Sequence, residues 1–101
     1  MVCECVVLEG ARREVEDIVD YLLAVSDGPS AAASFLDAFE AFLREVGENP
    51  SLHALSRLPE IAALGYRSAV VGRYVALYFE RGGCVYVAHV FHQRRDYARL
   101  V

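Results

Sequence analysis

The segment His92-Gln93-Arg94-Arg95-Asp96-Tyr97-Ala98-Arg99 gathers the densest set of chemically capable side chains in the chain. Planar guanidinium forks grip phosphate and carboxylate groups in two-point fashion, so Arg94, Arg95 and Arg99 can build a local anion site. A histidine among arginines tends to stay neutral, which makes His92 eligible as a general base. The plainer reading pairs Arg94 and Arg95 with Asp96 or with acids of the first helix, and exposed pairs of that kind contribute only about 0 to 1 kcal/mol. Arg67 and Arg73 flank a Val-Gly turn and either project toward a target or an acidic partner, or are solvated charges.

Other candidate groups are less connected. His89 alternates with apolar residues and reads as a hydrogen-bonded core histidine. His53 stands alone in a loop. Cys3 and Cys5 are one residue apart, unlike the usual zinc-binding CxxC, and with Cys84 they make an odd count, which favours free, packed thiols over disulfides or a metal site. Glu14, Glu16, Asp17 and Asp20 carry carboxylates on one helix, but without His or Cys nearby they read as its wet face.

These groups sit in a chain of 101 residues, enough for one apolar core and one domain spanning 1–101. Its 55% hydrophobic and 24% charged content belongs to a folded protein. A formal charge of −4 excludes general attraction to phosphate backbones, so any nucleic-acid contact is local. No apolar run approaches the roughly 18 residues of a membrane span, and the first residues lack a signal-peptide layout. A cytoplasmic protein without a membrane partner is expected.

Residues 2 to 8 are short and β-branched and end in Glu9-Gly10, predicting a first strand. From Ala11 the positions Ala11, Val15, Ile18, Val19, Leu22 and Leu23 share one helical stripe, predicting a helix to about Val25. Ser26 to Ser30 punctuates, and Ala32, Phe35, Leu36, Phe39, Phe42, Leu43 and Val46 predict a second helix ending near Gly47 and Pro50. The two form an antiparallel hairpin. Residues 50 to 64 read as a loop with a short helical turn around Glu60 to Leu64. From Tyr66 three strands follow as an antiparallel meander, with turns at Val71-Gly72 and Arg81-Gly82-Gly83.

Alternation separates Val75, Leu77 and Phe79 from Tyr74, Ala76 and Tyr78, and Val85, Val87, His89 and Phe91 from Cys84, Tyr86, Ala88 and Val90. A helix hairpin covers one face of a sheet, and it is assigned to the aliphatic set. Tyr74, Tyr78 and Tyr86 are thereby left on an open face suited to a partner, or at the margin of the core with wet hydroxyls.

The order strand, helix hairpin, proline-containing loop and meander resembles the RelE/ParE toxin superfamily over essentially the whole chain. The motifs that carry the resemblance are the opening helix EGARREVEDIVDYL, Tyr66-Arg67 followed by Val71-Gly72-Arg73-Tyr74-Val75-Ala76-Leu77-Tyr78, and the final strand His89-Val90-Phe91-His92-Gln93-Arg94-Arg95-Asp96. The last is similar to ParE. The resemblance implies an α+β toxin fold with helices on one face of one sheet, no cofactor, and a cognate antitoxin, ParD-like or similar, that wraps the toxin. It implies inhibition of DNA gyrase in the ParE branch or of translation in the RelE branch.

Chemistry separates the branches. Cleavage of RNA without a metal needs cations around the scissile phosphate and a group that moves the 2′-hydroxyl proton. In the RelE pattern an arginine follows the leading Tyr of the strand, where this chain has Val75. Tyr66 and Ser68 replace lysines, and the C-terminal Tyr falls near Leu100. A RelE-like enzyme would therefore rest on Arg94, His92 and Tyr97 alone. The ParE-like reading instead makes Arg94, Arg95, Arg67 and Arg73 contacts to a target, with gyrase foremost. A third possibility is an inactive binding module of the same fold.

Overall fold

The computed structural model describes residues 4–25, 28–56 and 59–92. Strand β1 (Glu4–Val7) leads through the single residue Leu8 into α1 (Glu9–Ala24), followed by α2 (Gly28–Glu48), the short α3 (Pro59–Ala62), β2 (Arg67–Val71), β3 (Tyr74–Arg81) and β4 (Cys84–His92). The sheet order is β1-β4-β3-β2: β1 runs parallel to β4, and the other two pairings are antiparallel. This is the expected α+β architecture in one sheet, which the parallel β1–β4 pairing makes mixed.

Local chemistry accounts for the elements. The two-residue hairpin loop between β3 and β4 uses Gly82 and Gly83, both with positive φ (60° and 79°), as a type I′ turn demands. On α2, Ala32, Phe35, Phe39, Phe42 and Val46 are buried at helical spacing, while Ala11, Val15, Ile18, Val19 and Leu22 of α1 join the same core. Leu23 and Leu36, expected in these stripes, are 50% and 38% exposed and lie off the buried arc.

The assignment of sheet faces needs correction. The hairpin core contains Tyr74, Ala76 and Tyr78 of β3, whereas Val75 and Leu77 pack with Phe91 and with Ile61 of α3 in a second cluster. Alternation separates two sets but cannot say which set is covered. A tyrosine ring is large and apolar, and it fits a core once its hydroxyl has a partner. Tyr78 meets that condition: it is fully buried, its ring lies 5.7 Å edge-on to Phe42, and its hydroxyl donates to the Pro50 carbonyl at 3.0 Å.

On β4, Val85, Val87 and Val90 all belong to the hairpin core, which strict alternation forbids. A β-bulge resolves the conflict. Leu77 pairs with His89 and Tyr78 with Val87, leaving Ala88 as an extra residue that advances the phase of the strand by one. The sequence reading placed His89 and Phe91 on the helix side; Phe91 lies on the other face instead, and His89 sits half-buried at hydrogen-bond distance, 3.3 Å, from Glu14 of α1.

Residues 49–56 are pinned by side-chain and backbone groups, including the Tyr66 carbonyl, which accepts the Ser56 N–H at 3.0 Å. Besides the Tyr78 hydroxyl, Arg67 Nη1 donates to the His53 carbonyl at 2.7 Å, and the Ser68 N–H donates to the Ala54 carbonyl. Burial pushes the Tyr78 phenol above its ordinary pKa, opposed by the His53 backbone and by Arg67. A raised folded-state value means that its stabilisation is complete below the unfolded tyrosine pKa and is lost as pH rises through the folded one. Tyr78→Phe is expected to lower stability by about 1 kcal/mol, the worth of one buried hydrogen bond. It should also flatten the alkaline loss of stability, read by urea denaturation at neutral pH and again above the tyrosine range.

Candidate functional site

A groove of about 590 Å³ opens where the end of α1, the first half of α2 and the β2–β3 turn converge. Tyr21, Leu22 and Val25 form one wall, Ala31, Ser34, Phe35 and Ala38 the second, and Gly72, Arg73, Tyr74 and His92 the third. Helical spacing supplies the first two walls, since residues three and four apart share a face. A II′-type turn supplies the third: Gly72 takes positive φ (64°) and Arg73 does not, so the guanidinium is carried on the tip of a tight, exposed turn.

The floor is aromatic. Tyr74 meets Phe35 edge-on at 5.0 Å and His92 edge-on at 5.6 Å. Burial, with a smaller contribution from Tyr21, raises the Tyr74 phenol above its ordinary pKa, and Arg73 opposes the shift. Its hydroxyl is therefore a neutral donor at physiological pH. Among the described lining residues there is no carboxylate, although the chain holds 14 acids. Tyr21 and Val25 remain 64% and 39% exposed, a large apolar allowance at one rim.

Three residues singled out in the sequence, Arg73, Tyr74 and His92, meet in this groove. The others do not. Arg67 lies at the opposite end of β2 and is committed to the His53 carbonyl. Tyr78 is closed inside the core, which takes it off any contact surface of this fold. Tyr86 lies on the far face, stacked on Phe79 at 5.2 Å, so the three tyrosines do not form one surface. Arg94, Arg95 and Tyr97 lie outside the described residues.

The remaining candidates behave as packing groups. Cys5 Sγ donates to the Leu43 carbonyl at 3.2 Å, and Cys84 is half-buried at the start of β4, while Cys3 lies outside the described residues. No group of three potential metal ligands occurs among the described residues. His53 packs edge-on against Tyr78 at 6.1 Å, its Nε2 buried with no hydrogen-bond partner among the described residues. Glu16, Asp17 and Asp20 are exposed as expected, but Glu14 turns inward to β4. Val75 is buried on the face away from the groove.

Sequence reasoning missed the Tyr21, Val25 and Phe35 walls. The available signal was an apolar surplus at the end of α1, where Tyr21, Leu23 and Val25 exceed what one buried stripe needs.

Among the described residues no helix is long and apolar enough to cross a membrane. The family profile described as "ParE toxin of type II toxin-antitoxin system, parDE" matches residues 6–97. The fold is similar to a chain of the chromosomal ParDE toxin–antitoxin system from P. aeruginosa (TM-score 0.72, 14% identity, covering 90% of this chain and 96% of that one). It is also similar to a chain of the toxin–antitoxin complex RelBE2 from Mycobacterium tuberculosis (TM-score 0.63, 19% identity, covering 92% and 100%). No curated protein matches the chain by sequence.

Spectrophotometric titration is expected to show two tyrosines, Tyr74 and Tyr78, ionising above the ordinary range. Arg73→Ala should move the Tyr74 component further up, because the guanidinium now favours the phenolate; an unmoved titration would separate the two side chains.

Proposed function

The chain belongs to the ParE toxin family of type II toxin–antitoxin systems, and we propose that it arrests growth by binding DNA gyrase, performs no cleavage itself, and is silenced in the cytoplasm by an antitoxin tail seated in the Tyr74 groove. The observation that carries the reading is an apolar groove, rimmed by Arg73 and His92 and with no carboxylate among its described lining residues, in a chain of net charge −4. Such a surface fits an amphipathic segment with apolar side chains against Phe35 and Tyr74 and a carboxylate against Arg73.

Binding without chemistry is supported by the same geometry. Of the groups a metal-free ribonuclease needs, the groove offers Arg73 and His92. Val75 occupies the position of the missing arginine and is buried elsewhere. Arg94 and Arg95 follow His92 by two and three residues and are the proposed target contacts together with Arg73. Arg67 is the weakest of the proposed target contacts, since its guanidinium already serves the His53 carbonyl.

Arg73→Glu should weaken the antitoxin complex about ten- to a hundredfold, as expected for an opposed charge at a partly desolvated pair, while thermal melting stays that of the parent. Unchanged affinity, measured by calorimetry on the co-expressed pair, would move the antitoxin off this groove. A supercoiling assay with purified gyrase tests the target: the wild type should inhibit, and Arg94→Ala and Arg95→Ala should inhibit less while melting like the parent. Ribosome-dependent RNA cuts without gyrase inhibition would favour the RelE-like reading, and growth unaffected by expression without antitoxin would favour an inactive binding module.

A further inference from the structure

β1 stops at Val7, and the chain turns into α1 at Leu8, whose N–H still donates to the Val87 carbonyl. Beyond that point β4 has no strand on its β1 side among the described residues. The vacated edge is met by Glu14, one turn and a half into α1: its Oε1 accepts the Val90 N–H at 3.2 Å and lies 3.3 Å from His89 Nδ1. Both side chains are about one-fifth exposed (22% and 23%). A carboxylate oxygen thus stands in for the carbonyl that a continuing β1 would have offered.

The position of this contact coincides with the bulge. Two phases are open to the end of β4. With Ala88 extruded, Val90 and His92 face the hairpin and His92 pairs with Tyr74. Without extrusion, alternation continues through His89 and Phe91, Phe91 pairs with Tyr74, and His92 leaves the groove. The bulged phase alone directs the Val90 N–H at α1 and sends His89 to the same carboxylate.

We propose that Glu14 is a positioning residue that selects the bulged phase of β4 and so holds His92 in the groove. The charge-assisted bond to Val90 rewards one phase only, and a single-residue slip forfeits it. What His92 then does there rests on the reading of the groove as a docking surface. The selection of phase itself is independent of that reading.

The test uses the full chain in solution. In Glu14→Ala, amide exchange at Val90 should rise about ten- to a hundredfold, the range open to a hydrogen bond with a charged acceptor, and the nuclear Overhauser contact between the His92 and Tyr74 rings should disappear. Glu14→Gln keeps an acceptor oxygen and should restore both. Deletion of Ala88 removes the choice of phase, so in that background Glu14→Ala should leave the ring contact intact, a rescue that a merely structural glutamate would not show. Wild-type exchange and ring contact in Glu14→Ala would overturn the proposal. Should Glu14→Ala alone fail to fold, the deletion background decides, and loss of the ring contact there overturns it. These readouts involve no partner, so failure of the docking reading would appear separately, in the affinity of Arg73→Glu.

Discussion

The bulge in β4 is the constraint on which the rest of the molecule depends. β4 is bonded on both sides, to β3 throughout its length and to β1 over its first half, and it carries apolar residues toward both layers. A regular strand would divide its side chains evenly between the faces. One extra residue lets Val85, Val87 and Val90 all serve the core beneath α2, while Phe91 closes the smaller core against Ile61. Because β1 is the first and β4 the last of the described strands, this pairing joins elements about 80 residues apart. Loop closure over such a separation is an entropic cost that the buried valines and phenylalanines must offset.

A second consequence is the division of labour among polar groups in the core. The Tyr78 hydroxyl, the Arg67 guanidinium and the Glu14 carboxylate each satisfy a backbone group that no strand or helix reaches: the Pro50 carbonyl, the His53 carbonyl and the Val90 N–H. Leaving any of these unpaired in a buried place would cost about 1 to 3 kcal/mol. The side chains that look functional by type are here structural by position. None of the three lines the groove, whose polar side chains are Tyr21, Ser34, Arg73, Tyr74 and His92 among the described residues.

The elements themselves were legible because period and punctuation act locally. The stripe from Ala11 to Leu22, the phenylalanines at 35, 39 and 42, and Gly82-Gly83 each announce their structure within a few residues. The faces were not legible. Tyr74, Ala76 and Tyr78 form one set whichever layer covers them, and only the distant Pro50 carbonyl makes burial of Tyr78 favourable. The same holds for the site. Arg73, Tyr74 and His92 could each be picked out, but their meeting requires a phase change at Ala88 that no residue type signals, and the walls from α1 and α2 come from a hairpin angle that periodicity does not specify.

An acidic chain proposed to bind an acidic segment presents an apparent contradiction, which charge screening resolves. At physiological ionic strength charges are screened beyond about 8 Å, so a partner seated in the groove would respond to Arg73 before it responds to the net −4 of the chain. The acids nearest in sequence, Asp20 on α1 and Asp37 on α2, are exposed and lie outside the groove lining. A cavity of about 590 Å³ accommodates a few side chains, not a whole element. Affinity at such a site is carried by a small number of anchors in a desolvated pocket, with the surrounding contacts serving mainly to exclude water. The exposed Tyr21 and Val25 at the rim are placed to provide that exclusion, which would strengthen an ion pair between Arg73 and a docked carboxylate. Under the proposed docking, the apolar wall and the Arg73 guanidinium would act together: neither the exposed charge alone nor the apolar groove alone would discriminate an amphipathic acidic segment from the many acidic or apolar segments of a cell.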